Sequence, residues 1–248
     1  MNRKQRKLVA LAAALAISLG IIPAANAMHI MEGYLPPVYC VVWGVVCLPF
    51  LAAGFFSIKK TLTSNRKSLT ILAMAGAFIF VISSLKIPSV TGSCSHMTGT
   101  GLGAILFGPA SVSILGLIVL LFQAILLAHG GLTTIGANCF SMAVAGPFVS
   151  FGIYKLCQKL KVNRLAAIFL AASIGDLFTY CVTAFQMALA HPSETGGVAA
   201  SAVKFLAVFA PTQIPLAILE GILTVLIIIG LENYAKKELK SIGFLKEV

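Results

Sequence analysis

The sequence has few charged residues and very few acidic ones. Only 10% of its 248 residues are charged, with seven Asp and Glu against 18 Lys and Arg, while 59% are hydrophobic. A water-soluble domain carries about 25% charged residues, so this composition excludes a water-soluble enzyme. The mean hydropathy of +1.00 indicates a protein whose solvent is mostly lipid, with room for about six or seven spanning helices of about 20 residues each.

Further absences narrow the class of protein. The motif G-x-x-x-x-G-K-[ST] does not occur, so the chain has no P-loop with which to bind ATP. The six cysteines show no C-x-x-C spacing and are interpreted as small core residues, not as a disulfide framework. The basic residues form clumps between apolar runs, as the positive-inside rule predicts, and not the stripe expected of a nucleic-acid-binding protein.

Residues 1–27 have the pattern of a secretory signal peptide. Basic residues within 3–7 precede an apolar run at 8–22, and the A-N-A sequence at 25–27 matches a small-residue cleavage site. The alternative is an uncleaved first span, for which about 15 apolar residues are slightly short. We therefore expect residues 1–27 to be removed and residues 28–248 to form one transmembrane domain that begins with Met28, outside the cytoplasm.

Hydropathy and charge together predict a topology. After the leader, apolar stretches run at 35–57, 69–87, 101–128, 132–154, 164–190 and 203–231. If residue 28 is outside, the basic clumps that follow all become cytoplasmic only when 101–128 contains two crossings. Gly108-Pro109 is the expected break, because proline lacks an amide donor and clashes with the preceding turn. The short helix that results must be packed among other helices or border a cavity.

The prediction is an all-α integral membrane protein of the cell membrane, with its N-terminus outside and its C-terminus inside. It has about seven transmembrane helices, one of them short because of the break at Gly108-Pro109. No internal repeat is found in the sequence, which disfavours the inverted-repeat secondary transporters.

All four histidines fall on the outer side in this topology: His29, His96, His129 and His191. His29 would be the second residue of the mature chain, where the terminal amine, the amide nitrogen of His29 and its Nδ1 can chelate one ion. His96 is the best fourth donor, because it lies in a glycine- and serine-rich loop at 92–103. The predicted metal ligands are therefore Met28, His29 and His96.

Four nitrogens in a plane suit Cu(II) and Ni(II) and can hold low-spin Co(II). Because the amide must lose its proton, binding should weaken as the pH falls. Glu32 and Asn138 are candidates for supporting groups, with Glu32 orienting an imidazole N–H. The alternative is that residues 28–33 form an ordinary polar turn and that Glu32 is a solvated acid.

Two acidic residues lie inside apolar spans. An ionised group there is costly unless it is paired or hydrated, so Asp176 and Glu220 are functional candidates. One interpretation is a proton path, and the other is hydrogen bonding to neighbouring helices through polar residues such as Gln186, Asn138 or Gln213. Elsewhere, the small residues around Ala73 and Ala77 allow close helix approach within or between subunits.

Several segments together resemble the CbiM/NikM family, the substrate-capture (S) components of energy-coupling factor transporters for cobalt and nickel. The resemblance covers the whole mature chain and is carried by M-H-I-M-E-G at 28–33, G-S-C-S-H at 92–96, A-H-G-G-L-T-T-I-G-A-N at 128–138 and G-D-L-F-T at 175–179. It implies a seven-helix bundle that captures Co²⁺ or Ni²⁺ on its outer face through Met28, His29 and His96.

The resemblance also implies partners. These are a CbiQ-like transmembrane T subunit, which Ala73 and Ala77 would contact, a CbiO-like ATPase and a CbiN-like small membrane subunit. The leading hypothesis is thus a non-enzymatic metal-capture subunit of an ATP-driven cobalt importer that supplies cobalamin synthesis, with cobalt or nickel as substrate and no permanent cofactor. The rivals are a proton-driven permease using Asp176 and Glu220, and a membrane metal enzyme, which would need an open coordination position.

Overall fold

The computed structural model describes residues 29–64, 66, 68–88 and 94–245. Its helices are α1 Pro37–Ser64, α2 Ser68–Ser84, α3 Thr100–Phe107, α4 Pro109–Leu127, α5 Ile135–Lys159, α6 Arg164–Ala190, α7 Gly197–Tyr234 and α8 Lys236–Ser241. Two-residue strands, β1 Ile87–Pro88 and β2 Cys94–Ser95, pair antiparallel between α2 and α3. The predicted leader and Met28 lie outside the described residues.

The prediction of a helical membrane protein is confirmed. In the described part of the chain, five helices (α1, α4, α5, α6 and α7) are long and apolar enough to cross a membrane, and α2 is a shorter apolar helix. With the eight-residue α3 they make seven helices, as the sequence predicts. The last span is longer than the apolar stretch at 203–231, because α7 begins at Gly197 and ends at Tyr234.

The break predicted at Gly108-Pro109 is present. Gly108 ends α3 with φ 82° and ψ 159°, a conformation that glycine adopts at little cost, and Pro109 starts α4 at a position where its missing N–H is not needed. The chain reverses here, so that a Cβ on Gly103 of α3 would lie 3.0 Å from Cγ2 of Val112 on α4. As expected for a half-length helix, α3 is buried over nearly its whole length.

The bundle is held by close helix contacts at small residues. A Cβ on Gly101 of α3 would lie 2.9 Å from Cα of Ala172 on α6, and a Cβ on Gly116 of α4 would lie 2.4 Å from Cβ of Ala143 on α5. In lipid, where burying apolar surface drives little association, such contacts stabilise helix packing. The buried core surrounds α3, with one cluster toward α1, α4 and α5 and another toward α6 and α7.

Part of α5 is a π-helix, from Cys139 to Ala145. A π-helical turn holds one more residue than an α-helical turn, and such turns occur often at functional sites. Here the turn carries Met142, which is 1% exposed, and directly follows Asn138. Both side chains face the short segment that precedes α1.

Candidate metal centre

The segment that begins at His29 is inserted into the bundle. The N–H of Ile30 donates to Oδ1 of Asn138 (2.7 Å), and Nδ2 of Asn138 donates back to the carbonyl oxygen of Ile30 (2.9 Å). The Thr134 hydroxyl donates to the same carbonyl (2.6 Å). These bonds satisfy both main-chain groups of Ile30 and leave His29 only 2% exposed.

Two glycines after α4 allow the His29 segment to lie against the loop that follows this helix. Gly130 has φ 80°, and a Cβ there would lie 3.4 Å from Cβ of His29. A Cβ on Gly131 would lie 2.6 Å from both N and Cα of Glu32, closer than a side chain can approach backbone. The loop therefore needs Gly131 in order to pack against the segment.

Three histidines meet at this point. His29 from the inserted segment, His96 between β2 and α3, and His129 after α4 are each at most 2% exposed. Each offers one ring nitrogen, and these atoms lie within 4.8 Å of one another. The rings of His29 and His96 are stacked with their centroids 4.4 Å apart, and the ring of His129 stands at 73° to the first and at 90° to the second.

The neighbours of His29 determine which nitrogen carries its proton. Nε2 lies 3.1 Å from Sδ of Met142, and a thioether sulfur can only accept. Nε2 therefore carries the hydrogen, and Nδ1 has a free lone pair. That lone pair lies 3.0 Å from Nε2 of His129, which donates to it.

The same reasoning applies to His96. Its Nδ1 lies 2.9 Å from the carbonyl oxygen of Met97, which only accepts, so Nδ1 is protonated and Nε2 has a free lone pair. Nε2 of His96 and Nδ1 of His129 are buried without a hydrogen-bond partner among the described residues. Buried polar atoms are rarely left unpaired, so these two atoms point to a ligand.

Burial keeps the three rings neutral. Desolvation lowers the pKa of His96 to about 4 and that of His129 to about 2, and it holds the pKa of His29 well below its ordinary value. A neutral imidazole offers a lone pair, whereas a protonated one offers none. The three rings are therefore in the form that binds a metal ion.

The spacing fits a single transition metal ion. With metal–nitrogen bonds of about 2.0 Å, two ligands on opposite sides of one ion lie about 4 Å apart, and one ring nitrogen from each histidine lies within 4.8 Å of the other two. Imidazole nitrogen suits cobalt, nickel, copper and zinc, whereas magnesium and calcium prefer oxygen. The geometry thus supports a site for a nitrogen-binding transition ion.

Two of the ligands predicted from the sequence, His29 and His96, are brought together. The third, Met28, lies outside the described residues. Glu32 is exposed, and its carboxylate accepts the backbone N–H of Thr133 (3.2 Å) instead of orienting an imidazole. Hydrogen bonds from Thr133 lower the pKa of Glu32 below its ordinary value, which makes this residue a partner of the loop.

Asn138, the other predicted supporting residue, acts on Ile30 and so on the position of His29. Two residues at the cluster could not be assigned from sequence: His129, which had no assigned ligand role, and Met142. The Gly130-Gly131 pair next to His129 is the one sequence signal that indicates a close backbone approach there. The fourth histidine, His191, is exposed and lies outside the cluster, where its Nε2 donates to the carbonyl oxygen of Tyr34 (2.9 Å).

The two intramembrane acids form a pair. Asp176 on α6 and Glu220 on α7 are 1% and 0% exposed, and both accept the backbone N–H of Thr98. Of the three neighbours proposed from the sequence, Gln213 is the partner: its Nε2 donates to Oδ2 of Asp176 (2.6 Å). Gln186 and Asn138 instead bind the carbonyl oxygens of Ala137 and Ile30.

Apolar helices of spanning length, arranged around three buried histidines whose ring nitrogens converge, define a multi-pass membrane protein with a metal-binding centre. Comparison with known proteins agrees with that class. Residues 29–238 match the family model of CbiM, described as "Cobalt uptake substrate-specific transmembrane region". The chain belongs to the CbiM family.

Similar proteins extend over nearly the whole chain. A cobalt transport protein CbiM of Lachnoclostridium phytofermentans is 75% identical, over 98% of this chain and 97% of its own length. A protein of the same name from Chlorobium limicola is 62% identical, over 90% and 88%. Among solved structures, a truncated transition metal transporter superposes with a TM-score of 0.73 at 28% identity, covering 83% of this chain and 99% of that one.

Proposed function

We propose that the chain is the substrate-capture subunit of an ATP-driven importer of Co²⁺ that supplies cobalamin synthesis. The observation that carries the proposal is the convergence of ring nitrogens from His29, His96 and His129 at one buried point. The family description and the names of the relatives all refer to cobalt and so support cobalt as the ion.

The ion is held mainly by the beginning of the mature chain. Removal of residues 1–27 outside the cytoplasm frees the amine of Met28. That amine, the amide nitrogen of His29 and Nδ1 of His29 form three corners of a plane, and Nε2 of His96 forms the fourth. In support of this arrangement, Nδ1 is the nitrogen of His29 that carries no hydrogen, as the chelate requires. Before the ion arrives, the N–H of His129 occupies this lone pair.

Nickel is the alternative ion, because the same four-nitrogen plane suits Ni(II) at least as well as cobalt. The only support for nickel is the donor set, whereas the names of the relatives favour cobalt. A competition experiment with equimolar Co²⁺ and Ni²⁺ and metal analysis of the purified protein separates the two.

Energy for uptake comes from partners. The sequence contains no P-loop, so a CbiO-like ATPase supplies the energy through a CbiQ-like transmembrane subunit, together with a CbiN-like small subunit. Ala73 and Ala77 are exposed on α2 and line an apolar groove of about 460 Å³ between α2 and α4. Small residues in such a groove allow a helix of another membrane subunit to approach closely.

The decisive test is the position of His29 in the mature chain. N-terminal sequencing of the purified protein should give Met28 first. Insertion of one residue between Ala27 and Met28 moves His29 to third place and breaks the fused chelate, so the metal content should fall to a small fraction. Full uptake by protein that keeps its leader would contradict the proposal.

His96 provides the second test. The variant His96→Ala should lower the metal content of the purified protein sharply, because the fourth planar donor is lost. His191→Ala is the matched control: it removes a histidine that lies outside the cluster and should leave the metal content unchanged. Equal metal content in the two variants would remove His96 from the site.

A further inference from the structure

The segment that contains His96 is hydrogen-bonded to two acidic side chains in the interior of the bundle. The N–H of Thr98 lies 2.6 Å from Oε2 of Glu220 and 3.2 Å from Oδ1 of Asp176. The hydroxyl of Thr98 donates to Oε1 of Glu220 (2.9 Å). Thr98 follows His96 by only two residues, so these bonds fix the chain next to a proposed ligand.

A second connection reaches His96 itself. Nε2 of Gln213, on α7, donates to the carbonyl oxygen of His96 (3.2 Å) and to Oδ2 of Asp176 (2.6 Å). The main chain at residues 96–98 is thus held from α6 through Asp176 and from α7 through Gln213 and Glu220. Among the described residues, neither acid forms an ion pair.

We propose that Asp176, Glu220 and Gln213 are positioning residues, which hold the 96–98 segment so that Nε2 of His96 points at the captured ion. This inference rests on the proposed function and gives the intramembrane acids a role other than a proton path. A carboxyl pair costs free energy inside a membrane. Its hydrogen bonds to Thr98 and Gln213 offset that cost only while the segment is in place.

Asp176 and Glu220 both accept the N–H of Thr98, so their carboxyl groups lie close together, where two ionised carboxylates would repel each other. Replacing the Glu220 carboxyl by an amide keeps an oxygen that can accept from Thr98. Replacing it by an apolar group removes the acceptor of the Thr98 hydroxyl and the nearer acceptor of its N–H. The positioning role therefore predicts that Glu220→Gln loses much less metal affinity than Glu220→Leu.

The experiment uses the full-length processed protein, titrated with Ni²⁺, with three readouts: the affinity, the ligand-field absorption of the bound ion and the melting temperature. Glu220→Leu should bind about 10- to 100-fold more weakly, the range found for groups that orient metal ligands, with an altered absorption band. The matched control is Thr224→Val, which lies one helical turn away on α7 and is buried without a hydrogen-bond partner among the described residues; it should bind like the unaltered protein.

If Glu220→Leu does not fold, two variants of Thr98 in the 96–98 segment test the same proposal. Thr98→Val removes the hydroxyl donor at nearly constant volume and should lower the affinity, and Thr98→Ser should restore most of it. A lower melting temperature with unchanged affinity and absorption in these variants would overturn the positioning role. Failure of the proposed function is distinguishable, because the unaltered protein would then bind no Ni²⁺ or would bind it without His96.

Discussion

Met142 determines which nitrogen of His29 is free. Its thioether accepts the N–H at Nε2 and so leaves the lone pair on Nδ1. This matters because only Nδ1 closes a six-membered ring with the amide nitrogen of the same residue. A weak acceptor, placed by a π-helical turn, therefore selects the imidazole tautomer that can chelate.

At the residue scale we predict that Met142→Leu weakens metal binding by about tenfold or more, as for other groups that orient metal ligands. Leucine fills a similar volume at little cost in stability but accepts no hydrogen bond, so the His29 ring loses its fixed tautomer. Metal titration of the processed protein measures the effect.

The control is Met187→Leu, a buried methionine that packs against Ile30 and Ala137 in an apolar cluster. It should bind metal normally. If both leucine variants bind equally well, the tautomer of His29 does not depend on Met142.

At the scale of elements, the centre is assembled from the ends and breaks of helices. The segment before α1, the 94–99 segment before α3, the loop after α4 and the π-helical turn of α5 each contribute one part. Irregular backbone inside a membrane is stable only when other protein groups satisfy it. Asn138, Thr134 and Glu220 provide those hydrogen bonds here.

At this scale we predict the effect of a substitution in the loop after α4. In Gly131→Ala the new methyl group would collide with the backbone of Glu32, 2.6 Å away, so the inserted segment and His29 must shift. We expect a large loss of metal content in the purified protein, with a smaller effect on its melting temperature.

Gly152→Ala is the matched substitution on α5, where a Cβ would have nothing within 4 Å. It should leave the metal content unchanged. Normal metal content in Gly131→Ala would show that the approach of the two segments is not needed for binding.

At the scale of the whole molecule, the bundle contains a candidate metal centre, and the sequence contains no P-loop. The two intramembrane acids that a proton-driven permease would need accept hydrogen bonds from Thr98 and Gln213. The apolar groove between α2 and α4 is where the proposed subunit would meet another membrane protein.

We therefore predict that vesicles containing this chain alone do not accumulate Co²⁺ when a proton gradient is imposed and ATP is absent. Accumulation should require the ATPase and the transmembrane coupling subunit, with ATP on the cytoplasmic side. Radioactive cobalt uptake measures both conditions. Robust gradient-driven accumulation by the chain alone would defeat the subunit hypothesis.

The local amino-acid sequence determined the membrane-spanning helices, one helix break and two of the candidate ligands. Long apolar runs can be satisfied in lipid only as helices, so composition and hydropathy were enough to predict the spans. Proline lacks an amide donor and clashes with the preceding turn, so the division of α3 from α4 at Gly108-Pro109 was also predictable, although Gly146-Pro147 lies inside α5 without ending it. His29 could be proposed as a ligand from the sequence, because the chelate requires a histidine at the second position of the mature chain. His96 could be proposed with it, because it lies in a glycine- and serine-rich loop on the same predicted side.

Only the tertiary structure decided which distant side chains complete the centre. His129 meets His29 across 100 positions of sequence, and Thr98 meets Glu220 across 122. No local pattern records such contacts, because they depend on how the helices pack and on the turns that aim each side chain. For the same reason Glu32, close to His29 in sequence, turned toward the Thr133 backbone, while Asn138, more than a hundred positions away, took the role of holding the histidine in place.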